Sequence, residues 1–394
     1  MSTAKAHGLD GTLVEPDWPP LTMDEGRALL SEFPGCPEPM EILSVSPRPF
    51  SAASVVAIKS GRVFVKRHAR TVRDREGLHE EHGFMRHLRE HGAAVPRVLT
   101  TVAGETAIER GAWTFEVHEV PAGVDLYEDA ISWTPFRSVG HARAAGEALA
   151  RLHHASRAFD APRRKIQALV AGFTIFATHD PAAEMERYLA ARPALAEDAV
   201  AREGCDQALE LLAPFHAELL PLLPALEPLW THNDLHASNL FWSDRRDTAR
   251  AVAVIDFGLA DRTNAVHDLA QAIERNIVAW LDLTPGCEQQ QNIRVHVDHL
   301  EALLEGYESV RPLSDEEAAA LKPMAALCHA EFALTEADYF RGVLQSEEKA
   351  RVASIDYLAG HARWYRGAGG QRLLDAVQRW AEARAGRVRT VGER

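Results

Sequence analysis

The stretch that most constrains this chain is THNDLHASNLFW, residues 231–242, together with the segment AVIDFG that ends at Gly258. Both segments have the pattern of hairpin strands, and the polar turn SDRRD separates them. Such a hairpin brings Asn239 near its start close to Asp256 near its end. Asp234 lies five residues before Asn239 on the same loop. The sequence therefore predicts that two carboxylates and one carboxamide meet at one end of a hairpin.

Two chemistries use polar residues in this pattern. His232, Asp234 and His236 alternate along the loop, as in hydrolases that hold a metal ion with strand-borne side chains. That hypothesis leaves Asn239 and Asp256 without a role. In the second hypothesis, Asp234 accepts the proton of a substrate hydroxyl, while Asn239 and Asp256 give oxygen ligands to Mg²⁺ on the phosphates of a nucleotide. The second hypothesis uses more of the motif and is favoured.

The rest of the chain divides into a strand-rich part and a helical part. Short β-like runs between residues 40 and 68, and again in AAVPRVLTTVAGETAI and WTFEVHEV, predict about five antiparallel strands. One helix, over residues 74–91, lies between them. After Pro121 apolar residues recur at helical spacing, apart from the hairpin. We expect an α+β chain with three parts: a leader with an amphipathic helix (1–40), an N-terminal nucleotide-binding lobe (41–120) and a helical lobe with the catalytic loop and substrate site (121–394).

A cation for the phosphates is expected from Lys66, which ends the strand-like run RVFVKR. In the following helix Leu78, Met85 and Leu88 form an apolar stripe, and Glu81 falls inside that stripe. A buried carboxylate needs a partner. The spacing therefore predicts an ion pair between Lys66 and Glu81.

The turn before this strand contains SPRPFSAAS and has no G-x-G-x-x-G pattern. Ser51 and Ser54 are candidates for a phosphate contact through a hydroxyl or a backbone N–H group. A plain polar turn accounts for the same residues equally well.

The segments HNDLHASN, VIDFG, FVKR and EHGFMRHLREHGAAVPRVL resemble the aminoglycoside phosphotransferase and choline kinase superfamily, over roughly residues 45–345. The resemblance implies a protein-kinase-like fold with a small antiparallel-sheet lobe, one key helix and a larger helical lobe. Two further segments, LLEGYESVRPLSDEE and HAEFALTEADYF, indicate a particular group within this superfamily, because they are similar to type II homoserine kinases and bacterial stress-response kinases. The roles implied are a catalytic base (Asp234), Mg²⁺ ligands (Asn239, Asp256), a phosphate contact (Lys66), its partner (Glu81) and an adenine-binding hinge of backbone groups (Glu116 to His118).

Two positions depart from the patterns of related kinases. Asn233 stands where this superfamily commonly has Gly, and we expect it to be tolerated with its side chain pointing outward. His236 stands where protein kinases have Lys, which disfavours a protein substrate. His232 is expected to support the loop by hydrogen bonding, and Asp268 to brace or cap the following helix.

Composition limits the partners. The formal charge of −14 disfavours nucleic acid and anionic membranes, because phosphates must be met by clustered Lys and Arg, and it weakly suits a cationic substrate. No uncharged run is long enough to span a bilayer, and no signal peptide is recognisable, so a cytoplasmic location is expected. The four cysteines have no spacing typical of zinc sites or of a disulfide framework.

These patterns predict an ATP- or GTP-dependent, Mg²⁺-dependent kinase that phosphorylates a hydroxyl group of a small molecule. Amino alcohols, amino sugars and aminoglycosides are the acceptors considered. A non-catalytic nucleotide-binding relative is the first alternative, and a metal-dependent hydrolase is the second.

Overall fold

An antiparallel sheet forms the N-terminal part of the protein. The computed structural model describes residues 16–36, 38–46, 49–165, 167–282 and 292–392. The sheet has five strands in the order β1-β2-β3-β5-β4. A short helix, α1 (Met23–Leu30), precedes the sheet, and α2 (Arg75–Glu90) lies between β3 and β4. The strands are β1 (Pro39–Val45), β2 (Ala52–Ile58), β3 (Gly61–Ala69), β4 (Ala107–Arg110) and β5 (Trp113–Glu119).

Helix α2 carries the predicted apolar stripe. Asp74 caps its first turn by accepting a hydrogen bond from Gly77 N. Leu78, Glu81, Met85 and Leu88 are all buried. The stripe therefore fixes which face of α2 meets the protein interior, and Glu81 lies on that face.

The chain after β5 is mainly helical, as predicted. Its helices are α3 (Val139–Ser156), α4 (Pro181–Ala190), α5 (Pro193–Ala196), α6 (Ala199–Leu219), α7 (Ala265–Ile277), α8 (Val297–Val310), α9 (Asp315–Leu327), α10 (His329–Asp338), α11 (Glu347–Arg351), α12 (Gly360–Arg366) and α13 (Ala368–Gly392). Two π-helical segments, Tyr339–Val343 and Val352–Ala359, flank α11.

Two small antiparallel pairs interrupt the helices. The predicted hairpin is present as β7 (Leu240–Trp242) paired with β8 (Ala251–Val254). A second pair joins β6 (Pro228–Thr231) to β9 (Asp261–Asn264). The loop that carries Asp234 therefore lies between two strands with different partners, which holds both of its ends.

Within the described parts of the chain, one helical segment is long and apolar enough by composition to cross a membrane. It covers residues 199–225, with a mean hydropathy of 1.2. In the structure, α6 packs against α9 and against the π-helical segment Val352–Ala359. Of the most apolar 18-residue stretch of this segment, 28% is buried in the structure.

The cysteines are unbridged where they can be examined. Cys36, Cys205 and Cys328 are buried and free. Cys287 lies outside the described residues.

Candidate active site

Asp234 lies on the loop between β6 and β7, where a buried arginine faces it. Arg275 of α7 donates from Nε to Asp234 Oδ1 at 2.7 Å. Asn239 donates from Nδ2 to the Asp234 backbone oxygen at 2.9 Å and to Oδ2 at 3.3 Å. The predicted neighbourhood of Asp234 and Asn239 is thus present, with the Asp234 carboxylate held from two sides.

Asn233 takes the left-handed conformation that the loop requires. Its φ is 61°, a region that Gly and Asn enter more readily than other residues. Its side chain is fully buried: Oδ1 accepts from Thr231 at 2.8 Å, and Nδ2 donates to the Leu259 backbone oxygen at 3.2 Å. The prediction that this side chain points outward is wrong, because the buried polar groups around the loop use its amide.

A buried carboxylate braces the same loop. Asp268 of α7 accepts from the backbone N–H groups of His232 at 2.9 Å and Asn233 at 2.8 Å. His153 of α3 lies 2.9 Å from Asp268 through its Nε2. His232 itself lies 2.9 Å from the Ile255 backbone oxygen through Nε2. The supporting role predicted for His232 is confirmed. Asp268 was predicted to brace or cap the following helix, but it holds this loop instead, and Asn264 is the residue that caps α7.

Asp256 meets Lys66 across the two lobes. Lys66 Nζ lies 2.8 Å from Asp256 Oδ1. Burial alone would lower the pKa of Lys66 and raise that of Asp256. The attraction between the two opposite charges outweighs burial, so the pKa of Lys66 is raised and that of Asp256 is lowered. Ile255 N donates to the Asn239 backbone oxygen at 2.9 Å, which keeps Asp256 and Asn239 at the same end of the hairpin. Both charges of the pair are therefore retained at neutral pH.

The predicted Lys66–Glu81 ion pair is not formed among the described residues. Lys66 pairs with Asp256, whereas Glu81 Oε2 lies 3.6 Å from Nη2 of the buried Arg164. Arg164 also donates to the backbone oxygens of Gly77 at 2.8 Å and Gly258 at 2.9 Å. The carboxylate on the apolar stripe does have a cationic partner, but a loop residue provides it.

The hinge predicted near Glu116 and His118 does not fit the strand pairing. Glu116 is opposite Lys66 of β3 and Ala107 of β4, and His118 is opposite Phe64 of β3. Beyond β4, the neighbouring backbone at residues 97–99 bonds to β5 at residues 117 and 119. These backbone groups belong to a sheet with neighbours on both sides, so they are not available to a base.

The two serines separate in the structure. Ser51 lies just before β2 and lines the cavity between the lobes. Ser54 lies inside β2 opposite Val65, is 1% exposed and is not part of the cavity wall. Only Ser51 remains a candidate for a phosphate contact.

One cavity of about 430 Å³ joins the predicted catalytic groups. Lys66, Asp234, Asn239 and Asp256 all line it, and His236 lies beside them. Its wall also contains apolar and aromatic side chains and two glutamates: Ile131, Trp133, Leu281, Phe332, Tyr357, Glu336 and Glu348.

Glu336 of α10 is an acidic group that the sequence did not single out for a site. It has no hydrogen-bond or ion-pair partner among the described residues. Burial raises its pKa to about 8, with Arg275 opposing the rise and Asp234 and Glu274 adding to it. A carboxyl group that faces a cavity without a partner is typical of a ligand-binding site.

Arg275 and Arg164 were also not predicted from the sequence to take part in the site. Arg275 is fully buried, bonds to Gln271 one turn earlier, and its guanidinium lies 4.3 Å from the Phe332 ring centre. A cation inside the apolar face of α7 is the signal that could have revealed it, because a buried charge needs a partner. Arg164, in a basic loop, carries no comparable signal.

The donor set at the hairpin suits a hard divalent cation. Asp256 accepts a hydrogen bond from Lys66 through Oδ1. Asn239 donates both of its side-chain hydrogen bonds from Nδ2, so its Oδ1 can bind another partner. A Cβ at Gly258 would lie 3.3 Å from Asp256 Oδ1, so the glycine leaves space beside the carboxylate. Carboxylate and amide oxygens are the ligand types that Mg²⁺ and Ca²⁺ use.

Comparisons with known proteins show the family to which the chain belongs. Residues 48–313 match the phosphotransferase enzyme family. Homoserine kinase of Rhodospirillum rubrum is 31% identical over 261 residues, which are 64% of this chain and 66%, just under two thirds, of that protein.

Solved structures share the fold. A microcompartment-associated aminopropanol kinase superposes with a TM-score of 0.55 at 17% identity, over 89% of this chain and 99% of that one. The amicoumacin kinase hAmiN, solved in complex with AMP-PNP, Ca²⁺ and Ami, superposes with a TM-score of 0.53 at 15% identity. The superposition covers 87% of this chain and 92% of that one. The two-lobed, protein-kinase-like fold expected from the sequence is confirmed. Because the family match covers more than half of the chain, this protein belongs to the phosphotransferase enzyme family.

Proposed function

We propose that this protein transfers the terminal phosphoryl group of ATP or GTP to the hydroxyl group of a small molecule that carries an ammonium group. The observation that carries the proposal is the meeting of Lys66, Asp234, Asn239 and Asp256 on one cavity wall. A non-catalytic nucleotide-binding protein would have no need of a carboxylate held at the place of Asp234. A hydrolase with a metal ion on His232 is disfavoured, since both ring nitrogens are engaged: Nε2 with the Ile255 backbone oxygen, and Nδ1 with Asp234 N, which donates to it.

The roles follow from the chemistry of each group. Asp234 aligns the acceptor hydroxyl and takes its proton, while Arg275 keeps the carboxylate in place through the 2.7 Å hydrogen bond. Lys66, together with Ser51, contacts the phosphates. Asn239 and Asp256 would hold Mg²⁺, which supplies charge neutralisation on the phosphates when bound. Positioning and electrostatics then provide most of the rate, and no phosphoenzyme is expected.

The acceptor end of the cavity supports an ammonium group. Glu336 lines the cavity and its side chain has no partner among the described residues, and the aromatic rings of Trp133, Phe332 and Tyr357 line the same cavity. A carboxylate attracts a cation directly, and aromatic faces add a cation–π contribution. The relatives include kinases named for homoserine and aminopropanol, both of which have a hydroxyl and an amine.

The test is nucleotide consumption with matched acceptors. Homoserine, 1-amino-2-propanol and amino sugars would be assayed against the corresponding molecules in which hydroxyl replaces the amine. We expect turnover with at least one amine and at least about tenfold lower kcat/KM with its deaminated counterpart, which is about 1.4 kcal/mol of discrimination. Nucleotide binding without turnover on any acceptor would favour the non-catalytic alternative.

Replacing Glu336 by Gln is expected to raise KM for the amine acceptor by about 10- to 100-fold, since a hydrogen bond to a charged group contributes about 1.5–3 kcal/mol. The KM for nucleotide should stay unchanged. Glu348→Gln is the matched control, because Glu348 is exposed at the rim of the same cavity. An equal effect of both variants would indicate general charge attraction and contradict a specific contact.

The same carboxyl group predicts a pH dependence. With its pKa near 8, Glu336 is neutral at lower pH and becomes a carboxylate as the pH rises. Only the carboxylate attracts an ammonium ion strongly, so KM for the amine should fall by roughly tenfold per unit between pH 6 and 7.5 and level off above 8. Steady-state kinetics across this range checks the prediction, and Glu336→Gln should abolish the slope. A flat wild-type profile would contradict it.

A further inference from the structure

A second group of polar side chains lies in the sheet lobe, and the reaction proposed above does not use it. His68 of β3, His82 of α2 and His118 of β5 all contact the carboxylate of Glu116, which also lies in β5. Their exposed fractions are 5%, 4%, 1% and 9%, respectively. Alternation along β3 and β5 puts His68, Glu116 and His118 on the same face of the sheet as Lys66. Helix α2 brings His82 to that face.

The contacts in this group are short. Glu116 Oε2 lies 2.7 Å from Nε2 of His82 and 2.7 Å from Nε2 of His118. Glu116 Oε1 lies 2.9 Å from Nε2 of His68. The ligand atoms of His82, Glu116 and His118 all lie within 4.8 Å of one another. Two imidazole nitrogens and one carboxylate therefore face a common centre, and His68 contacts the other oxygen of the same carboxylate.

We propose that His82, Glu116 and His118, with His68 as a fourth ligand, form a site for one Zn²⁺ ion that ties α2 to the sheet. Imidazole nitrogen and carboxylate oxygen are both ligands of Zn²⁺, and four protein ligands with no open position are the arrangement found in structural zinc sites. With metal–ligand bonds of about 2.0–2.2 Å, neighbouring tetrahedral ligand atoms lie roughly 3.3–3.6 Å apart. The observed contacts would have to open by less than about 1 Å to admit the ion, which side-chain rotation can supply.

The site is distinct from the Mg²⁺ ligands proposed above in position and in chemistry. Only His68 of the four also lines the cavity between the lobes. Nitrogen ligands favour Zn²⁺ over Mg²⁺, whereas the oxygen donors of Asn239 and Asp256 favour the harder ion. His82 directly follows Glu81, so an ion at this site would also fix the position of the carboxylate that faces Arg164.

The other cluster with suitable spacing is a weaker candidate. His296, Asp298 and His299 lie within the same distance limit, but Asp298 is exposed and His296 is only partly buried. A closed site that excludes water is found in the sheet lobe and not there.

The experiment is metal binding by the full-length protein. Protein stripped of metal with a chelator would be titrated with Zn²⁺ as the only added transition metal, in a buffer that contains saturating Mg²⁺. A chromophoric chelator that competes for Zn²⁺ would report the affinity. We expect one tightly bound equivalent, loss of at least about 100-fold in affinity in His82→Gln and in His118→Gln, and no change in Asp256→Asn. His79→Gln is the matched control: it lies on the same helix, 41% exposed and 3.4 Å from Glu105, and should bind like wild type.

Thermal unfolding gives a second readout that needs no catalytic activity. At free Zn²⁺ of about a hundred times Kd, Tm should rise by roughly 3 °C in wild type and in His79→Gln, and not in His82→Gln. Tetrahedral Co²⁺ absorption in wild type and in His79→Gln, but not in His82→Gln or His118→Gln, would support the ligand set. The proposal would be overturned by any of three results: the protein binds no tight equivalent of Zn²⁺, Mg²⁺ displaces all the bound Zn²⁺, or folded His82→Gln and His118→Gln bind Zn²⁺ as tightly as wild type.

Discussion

Replacing Asp234 by Asn is expected to lower kcat by about 100- to 10,000-fold, the usual contribution of a positioned acid–base group. Asparagine has the same shape, and its amide oxygen can still accept the hydrogen bond that Arg275 donates to Oδ1. The change therefore removes the proton acceptor without leaving a buried guanidinium unpaired. Single-turnover and steady-state kinetics with the amine acceptor measure the loss.

Asparagine is a better probe here than alanine. Arg275 is fully buried, and breaking a buried pair by removing one partner typically costs about 3–5 kcal/mol of stability. Asp234→Ala would mix lost chemistry with lost folding. Nucleotide affinity in Mg²⁺ should stay within about threefold of wild type, or under 1 kcal/mol, in Asp234→Asn. A kcat near wild type would remove Asp234 from the role of base.

The local motifs were predictable because each is encoded within a few residues. The hairpin from Asn239 to Asp256 follows from two apolar runs around a polar turn, and the structure has it. The stripe that buries Glu81 follows from helical spacing alone. Bracing of the loop was predictable only in part: a supporting hydrogen bond was expected from His232, but Asp268 holds backbone groups that lie 35 and 36 positions earlier in the sequence.

Pairings between distant segments were not predictable in the same way. A buried carboxylate requires a cation, but the sequence does not say which one, and Arg164 lies 83 positions after Glu81 in a loop without periodicity. The hinge was misplaced because nothing in TFEVHEV reveals that residues 116–118 lie inside a strand that continues to Glu119. Asn233 was expected to face outward because polarity alone does not reveal that an amide is enclosed by Thr231 and Leu259.

The corrected pairings change the role of Lys66. In this structure Lys66 bonds to the carboxylate expected to hold the metal ion, so the ammonium group and the ion share one partner. Charges that share a buried carboxylate are coupled, and the loss of the carboxylate affects both. Asp256 is therefore the position at which nucleotide binding and metal dependence should change together.

Replacing Asp256 by Asn is expected to abolish most of the Mg²⁺ dependence of nucleotide binding. Removing a group that only hydrogen-bonds to a metal ligand typically lowers metal affinity by about 10- to 100-fold. Loss of the ligand itself should therefore raise the nucleotide Kd in saturating Mg²⁺ by at least about 100-fold. The Kd measured with chelator should change much less, because Lys66 remains. Calorimetric titration with and without Mg²⁺ measures both values.

Asp234→Asn is the matched control for this experiment, because it changes a carboxylate on the same cavity wall to the same residue type. The two variants should give opposite signatures: Asp234→Asn loses turnover and keeps Mg²⁺-dependent binding, while Asp256→Asn loses both. Circular dichroism would establish that Lys66, left without its 2.8 Å partner, has not unfolded the sheet lobe. If folded Asp256→Asn still binds nucleotide with wild-type Mg²⁺ dependence, the metal ion is held elsewhere, and Asn239 and Asp256 lose their proposed role together.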